Sequence, residues 1–236
     1  MKNTTSVELN LEKGLLENSN SVLAKVSKNN QQEFIDKTIA EHKKLEAERG
    51  IVRDISNPTY LGFLGGFFEG EGHCSITITI GNAFKYGVNL QPNLGVHQHI
   101  SGILILNSYL ELFKCGSLLL KTGSNDVYGY HIKGYKQIIP NVLPFLQQYV
   151  FPYACKTEQF HLFESVLLKL ANGEHKNQEN LIEMIKLCYL VSGKGMGRKR
   201  PLDEILAIVK DKKGYFDNAN NSKLLLTSDS ELNETI

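Results

Sequence analysis

The sequence predicts an α+β domain of αββαββα order, with a helical N-terminal extension and extra C-terminal helices. Three observations carry this. An apolar run opening on Asn57-Pro58 leads without a gap into residues 75–80, where Ser and Thr alternate with Ile. A second alternating pair, residues 118–121 and 127–133, brackets the turn-forming Gly123-Ser124-Asn125. Between and after these pairs, apolar residues return to the three-to-four spacing of amphipathic helices.

Each element follows from its residues. Residues 7–26 and 32–49 read as polar helices separated by Ser27-Lys28-Asn29-Asn30. Their apolar positions are sparse, so residues 1–55 are expected to form a helical accessory extension. Asn57 suits an N-cap and Pro58 the first helical turn, and that helix should run to about residue 70. In the strand that follows, Ile76, Ile78 and Ile80 take one face and Ser75, Thr77 and Thr79 the other. A turn over residues 81–86 leads to a second strand, where Val88, Leu90, Leu94 and Val96 alternate with Asn89, Gln91, Asn93 and Gly95. Pro92 predicts that this strand lies at an edge or carries a bulge. Helices are expected over residues 100–113 and 135–149, the latter broken or kinked by Pro140 and Pro144. Residues 156–170 and 178–190 are the best amphipathic patterns, and 201–209 form a short last helix. The core domain is thus expected over 56–214, and the Asn- and Ser-rich 215–236 as a polar, disordered tail.

Composition excludes several classes. With 42% hydrophobic and 22% charged residues among 236, the chain is ordinary for a globular protein, and no apolar run approaches membrane-spanning length. Glu8, Glu12 and Glu17 argue against a signal or transit peptide. Cys74, Cys115, Cys155 and Cys188 form no C-x-x-C pair and read as free thiols. The net charge of +1 conceals a basic middle, in which residues 73–214 carry sixteen Lys and Arg against ten Asp and Glu. That pattern is compatible with nucleic-acid binding.

The stretch from Tyr60 to Ile76, YLGFLGGFFEGEGHCSI, is the least ordinary. A glycine inside a helix costs about 1 kcal/mol relative to alanine. Gly62, Gly65 and Gly66 share one face and would let a second backbone approach closely, whereas Leu64 and Phe68 suit a core. Glu69 and Glu71 then stand at the helix C-terminus, where the macrodipole disfavours acids. Carboxylates and free carbonyls together are what a hard divalent cation takes as ligands, although two solvated acids leading into a strand would read the same way.

Leu64-Gly65-Gly66-Phe67-Phe68-Glu69-Gly70-Glu71-Gly72 resembles the signature nonapeptide of the LAGLIDADG homing endonucleases, and the element order resembles their fold. The likeness covers roughly residues 56–210 and is nearest to the single-motif, homodimeric type of organellar rRNA introns. By that resemblance, Glu71 binds the catalytic Mg²⁺, with Mn²⁺ or Ca²⁺ able to substitute for binding, and the Gly70 carbonyl also faces metal. Glu69 is structural. Gln98 matches a glutamine that organises water near the scissile phosphate, and Lys156 a basic residue that stabilises phosphate charge. Some members carry a basic residue where Gly102 stands here, so part of their solvent network is missing or supplied elsewhere. His97-Gln98-His99 alternatively reads as an H-x-H metal pair, for which the sequence supplies no third ligand.

The resemblance also makes the sheet the DNA-reading surface. Ser75, Thr77, Thr79, Asn89, Gln91 and Asn93 are the polar strand residues that would face base edges, with Lys121, Asn125, His131 and Lys133 from the second hairpin. Arg198, Lys199 and Arg200 form a basic segment expected near the DNA backbone. With one motif per chain, Gly62, Gly65 and Gly66 would meet the same helix of a second copy. The implied partners are double-stranded DNA and itself. The implied activity is Mg²⁺-dependent phosphodiester hydrolysis that makes a double-strand break in a long pseudo-palindromic target and promotes intron mobility. An organellar origin, chloroplast ahead of mitochondrion, goes with it. Two alternatives stay open: an intron-encoded RNA maturase on the same fold, with intron RNA as partner, and a non-catalytic DNA-binding protein.

Overall fold

The computed structural model describes residues 28–155, 157–191 and 198–211. The expected helix over residues 7–26, the Gly-rich residues 193–197 and the tail 215–236 lie outside the described residues. The strands β1 (Gly72–Ile80), β2 (Val88–His99), β3 (Ser117–Leu120) and β4 (Val127–Lys133) form one sheet in the order β1-β2-β4-β3. The β3–β4 hairpin is antiparallel, with Ser117 opposite His131 and Leu119 opposite Gly129. Residues opposite one another in this hairpin therefore share a face, because side chains alternate along a strand.

The chain divides into two compact units, each built from several segments. The first contains residues 28–73, 94–133 and 140–155 among those described. Its core lies between α2 (Pro58–Glu71), α3 (Ile103–Phe113), β4 and α5 (Leu143–Tyr149). Leu64, Phe68, Tyr109 and Tyr130 are each fully buried there. Tyr109 stacks on Phe113 and Tyr130 and meets Phe68 and Phe145 edge-on. Its hydroxyl donates to the Leu64 carbonyl at 2.6 Å, which satisfies the only polar atom on a ring otherwise surrounded by carbon. Burial pushes that phenol well above its ordinary range.

Helix α1 (Lys28–Glu48) belongs to this unit and is no separate arm, which corrects the expected boundary at residue 55. Ile35 is buried, and Phe34 stacks on Tyr128 with centroids 6.5 Å apart. The apolar stripe is narrow because a helix lying on one surface needs only one buried line of residues. Polar ties finish the attachment. Arg53 forks onto Glu46 and reaches the Tyr60 hydroxyl, which bonds Ser108, while Lys43 pairs with Glu111 at 2.7 Å. The Glu46 carboxylate holds the Arg53 guanidinium charged beyond its ordinary range.

The second unit takes residues 74–93, 134–139 and 157–211. Helices α6 (Thr157–Ala171), α7 (Gln178–Val191) and α8 (Leu202–Asp211) pack in sequence through Phe163, Val166, Met184, Ile185 and Val209, all fully buried. Their boundaries follow the expected patterns within two residues. The region 135–149 is split as its prolines required, into α4 (Tyr135–Asn141) and α5, with Pro144 in the first turn of α5.

Of the two alternatives for Pro92 the edge is excluded: β2 is an inner strand, between β1 and β4. The ring is buried, and the Pro92 carbonyl accepts from the Gly134 N–H at 2.8 Å. A proline forfeits only its donor, so an inner strand can hold it where its carbonyl still finds a partner.

Candidate functional site

The two acids of the nonapeptide have different environments. Helix α2 starts as expected, with the Asn57 side chain accepting from the Thr59 N–H at 2.8 Å and Pro58 in the first turn. At its far end Glu69 is partly buried and accepts from the Cys155 N–H at 3.0 Å. That bond ties the helix end to the segment ahead of residue 157. Glu71 is exposed, and Gly70 beside it has open space around its α-carbon. Only Glu71 therefore presents a free carboxylate outward, next to the last carbonyls of the helix, which lack an intrahelical partner.

Gln98 lies within β2, one residue from its end. Its side-chain oxygen accepts from the His99 N–H at 2.7 Å. A Cβ at Gly102 would come within 2.5 Å of the Gln98 Cγ, so the glycine leaves the room that this side chain occupies. A basic residue at 102 could not coexist with this Gln98 conformation. Lys156 lies outside the described residues.

The H-x-H pair does not act as a pair. The Ser101 N–H donates to the His99 Nδ1 at 3.2 Å, so Nδ1 is the acceptor, and Nε2–H is left facing the Asp126 carboxylate at 3.5 Å. His97 turns instead toward His73 and His131. The His73 and His97 rings stack at 5.1 Å, and His131 meets them edge-on at 6.2 and 4.9 Å. The cluster lies on the polar sheet face above two glycines. A Cβ at Gly95 would fall 2.7 Å from His73 Cε1, and one at Gly129 2.5 Å from His131 Nε2. Burial, followed by the neighbouring imidazoles and Lys121, pushes His73 down to about 4. His97 and His131 are lowered too, chiefly by burial, with Lys121 disfavouring charge on the first and His97 and Lys133 on the second. Among the described residues, no three His, Cys, Asp or Glu side chains are arranged to hold a metal ion.

The polar strand residues lie where alternation put them. Thr77, Thr79, Asn89 and Gln91 are exposed, Ser75 and Asn93 are partly so, and Asn93 donates to Thr77 at 2.8 Å. Lys121, Asn125 and Lys133 are exposed, and His131 is half-buried in the histidine cluster. Arg198 departs from its expected place. It turns inward, donating to the Cys188 and Ile76 carbonyls at 2.7 and 3.1 Å and lying over the Tyr189 ring. Lys199 and Arg200 stay exposed, Arg200 pairing with Glu204. All three line a groove of about 600 Å³ that also contains Ser75, Thr77 and Thr79.

The three expected interface glycines also separate. Gly62 and Gly66 have nothing within 4 Å of an added Cβ, whereas at Gly65 it would fall 2.3 Å from the Tyr149 carbonyl oxygen. Gly65 thus serves packing inside the chain, and its assignment to an intermolecular contact is corrected. Phe63, 47% exposed, stacks between Tyr60 and Phe67 on the open side.

Sequence reasoning missed His73 and His97 as members of a cluster. Their odd numbering put them on the polar face, but their proximity depends on the register of β1, β2 and β4, which no local pattern encodes.

A helix ending on an outward acid and leading into a sheet with one polar face defines a class, and comparison names it. Residues 64–167 match the family described as LAGLIDADG endonuclease. The chain is 32% identical over 125 residues to DNA endonuclease I-CeuI of Chlamydomonas moewusii, a match covering 52% of this chain and 57% of that protein. The match therefore spans little more than half of that relative's length. Among solved structures, it resembles the archaeal intron-encoded homing endonuclease I-Vdi141I complexed with DNA. The identity is 27%, the TM-score is 0.59, and 64% of this chain and 94% of that one are covered. The DNA complex of the group I intron-encoded I-CeuI shares the fold, at TM-score 0.65 and 22% identity over 82% of this chain and 95% of that one.

Proposed function

We propose that this chain is a site-specific homing endonuclease, hydrolysing phosphodiester bonds in both strands of a long, roughly palindromic duplex as a homodimer. The observation that carries this reading is the division of labour between two neighbouring acids. Glu69 is turned in to hold the end of α2, while Glu71 is left free at its tip. A structural pair would have no reason to differ.

The donor set fits a hard divalent cation such as Mg²⁺. Glu71 supplies a carboxylate and Gly70 a carbonyl, both oxygen, and among the described residues no group of three His, Cys, Asp or Glu side chains offers a competing metal site. Such a cation, when bound, supplies activation of water and stabilisation of the leaving oxygen. The chain's own residues do the rest. Glu71 would hold the cation beside the phosphate, Gln98 orients water through its amide, and Lys156 stabilises phosphate charge. The polar strand faces position the duplex, with Lys121, Lys133, Lys199 and Arg200 as exposed cations near it. One outward acid in the motif of each chain suits one strand cut per subunit, so two subunits would meet through Gly62, Gly66 and the exposed Phe63, and the paired cuts would leave 3′ extensions. An organellar intron, chloroplast ahead of mitochondrion, is the proposed origin. No described helix is long and apolar enough to cross a membrane.

The test uses a duplex spanning the intron insertion point, identified by sequencing the DNA that flanks the reading frame. With Mg²⁺ the protein should cut both strands, and Glu71→Gln should bind the duplex with affinity near that of the wild type while losing cleavage. Undiminished cleavage by the variant, or wild-type protein that neither binds nor cuts, refutes the reading.

A further inference from the structure

A second groove, of about 670 Å³, lies where the start of α8 meets α7, and the scheme above gives it no role. It shares Arg198, Lys199 and Arg200 with the groove beside β1 and adds Lys186. We propose that residues 215–236 of the same chain occupy it, and in doing so withhold Lys199 and Arg200 from DNA. The occupancy stands on this surface and on the sequence, whereas its effect on DNA rests on the endonuclease reading.

The groove is basic and apolar at once. Lys186, Arg198, Lys199 and Arg200 line it with no acid among the described lining residues, while Leu190, Pro201 and Leu202 supply carbon surface. Leu190 is 47% exposed in the last turn of α7. Lys186 bonds Glu183 and Arg200 bonds Glu204, each on its own turn of chain. Exposed pairs of this kind contribute little, so a second carboxylate can replace the first at small cost. A DNA backbone would meet the cations but has no side chains to cover the leucines. A peptide that is both acidic and apolar covers both. Residues 215–236 lie outside the described residues, and their composition is of that kind. They hold Asp217, Asp229, Glu231 and Glu234 against the single Lys223, with Leu224-Leu225-Leu226 just ahead of the acidic run. Reach is no obstacle. The groove stands at the start of α8 and the tail departs from its end, about 15 Å away along the helix, and 25 residues follow Asp211. Such a tether gives an effective concentration on the order of millimolar, so contacts too weak to hold a separate peptide suffice.

The experiment uses the full-length protein. A carbodiimide, which condenses a carboxylate with a lysine amine, should couple Asp229, Glu231 or Glu234 to Lys186 or Lys199, and peptide mass mapping should locate the bonds. An equal mixture of isotope-labelled and unlabelled protein should give bonds within each chain and few that join one chain to another. A full-length variant with Asp217→Asn, Asp229→Asn, Glu231→Gln and Glu234→Gln should melt at the wild-type temperature. It should bind an unrelated duplex about ten-fold more tightly, with a salt slope steeper by about two units, one for each of the two cations released. Absence of coupling between the tail and the groove lysines, or bonds found chiefly between chains, overturns the occupancy. Coupling within the chain while the variant binds duplex with wild-type affinity and slope overturns the withholding of the two cations. If the tail couples as expected but neither protein binds any duplex, the endonuclease reading falls, and the withholding with it, while the occupancy stands.

Discussion

The two faces of α2 carry the same residue type under opposite conditions. On the inner face Gly65 lies beneath the Tyr149 backbone, flanked by the buried Leu64 and Phe68. On the outer face an added Cβ at Gly62 or Gly66 would meet none of the described residues within 4 Å, and the exposed Phe63 lies beside them. Glycine costs helix stability wherever it stands, but only at Gly65 does a close approach within the chain offset that cost. The outer glycines retain the penalty with no internal return, which is the physical reason for assigning that face to a second copy.

The most drastic way to break the comparison is Gly66→Leu. Because no described residue lies within 4 Å of an added Cβ here, the monomer should melt at or slightly above the wild-type temperature, yet the proposed dimer should dissociate in sedimentation and cleavage should be lost. A dimeric, active Gly66→Leu protein would show that the outer face is merely solvated. Next comes Phe68→Ala on the inner face, which should cost about 3–5 kcal/mol by chemical denaturation, because the ring is fully buried among aromatic neighbours. Gly65→Ala should destabilise by about 1–3 kcal/mol, since the added methyl meets a backbone oxygen that cannot rotate away. A neutral result there would remove the contrast between the faces. The smallest effect belongs to Gly62→Ala, expected to stabilise the isolated subunit by up to about 1 kcal/mol. Measured at concentrations where the protein is monomeric, a destabilised Gly62→Ala would mean that the outer face already has a partner within the chain.

The same contrast marks how far local pattern could be read. Asn57-Pro58 starts α2 as its chemistry demands, and in β1 alternation placed Ile76 inside and Thr77 and Thr79 outside, although Ile80 at the strand end is exposed. Glu71 was legible as the last acid of its nonapeptide. The separate roles of Gly62, Gly65 and Gly66 were not, because a shared helix face says nothing about which neighbour lies over each residue. Helix α1 was underrated because a single stripe containing Phe34 and Ile35 looks weak when its binding surface, on α3 and β3, is out of view. Arg198 was read as a surface cation because three consecutive basic residues favour that reading. Only packing revealed the two carbonyls and the Tyr189 ring that it serves.

By itself the sequence determined the order of elements, the polar and apolar faces of the strands, the cap at Asn57 and the motif that ends on Glu71. These depend on neighbours within a few residues, where propensity and periodicity act. The tertiary structure alone decided which glycine is filled, that Glu69 holds the Cys155 N–H, and that His73, His97 and His131 meet. Each of those facts joins segments that are distant along the chain, and sheet register and helix docking, not local chemistry, bring them together.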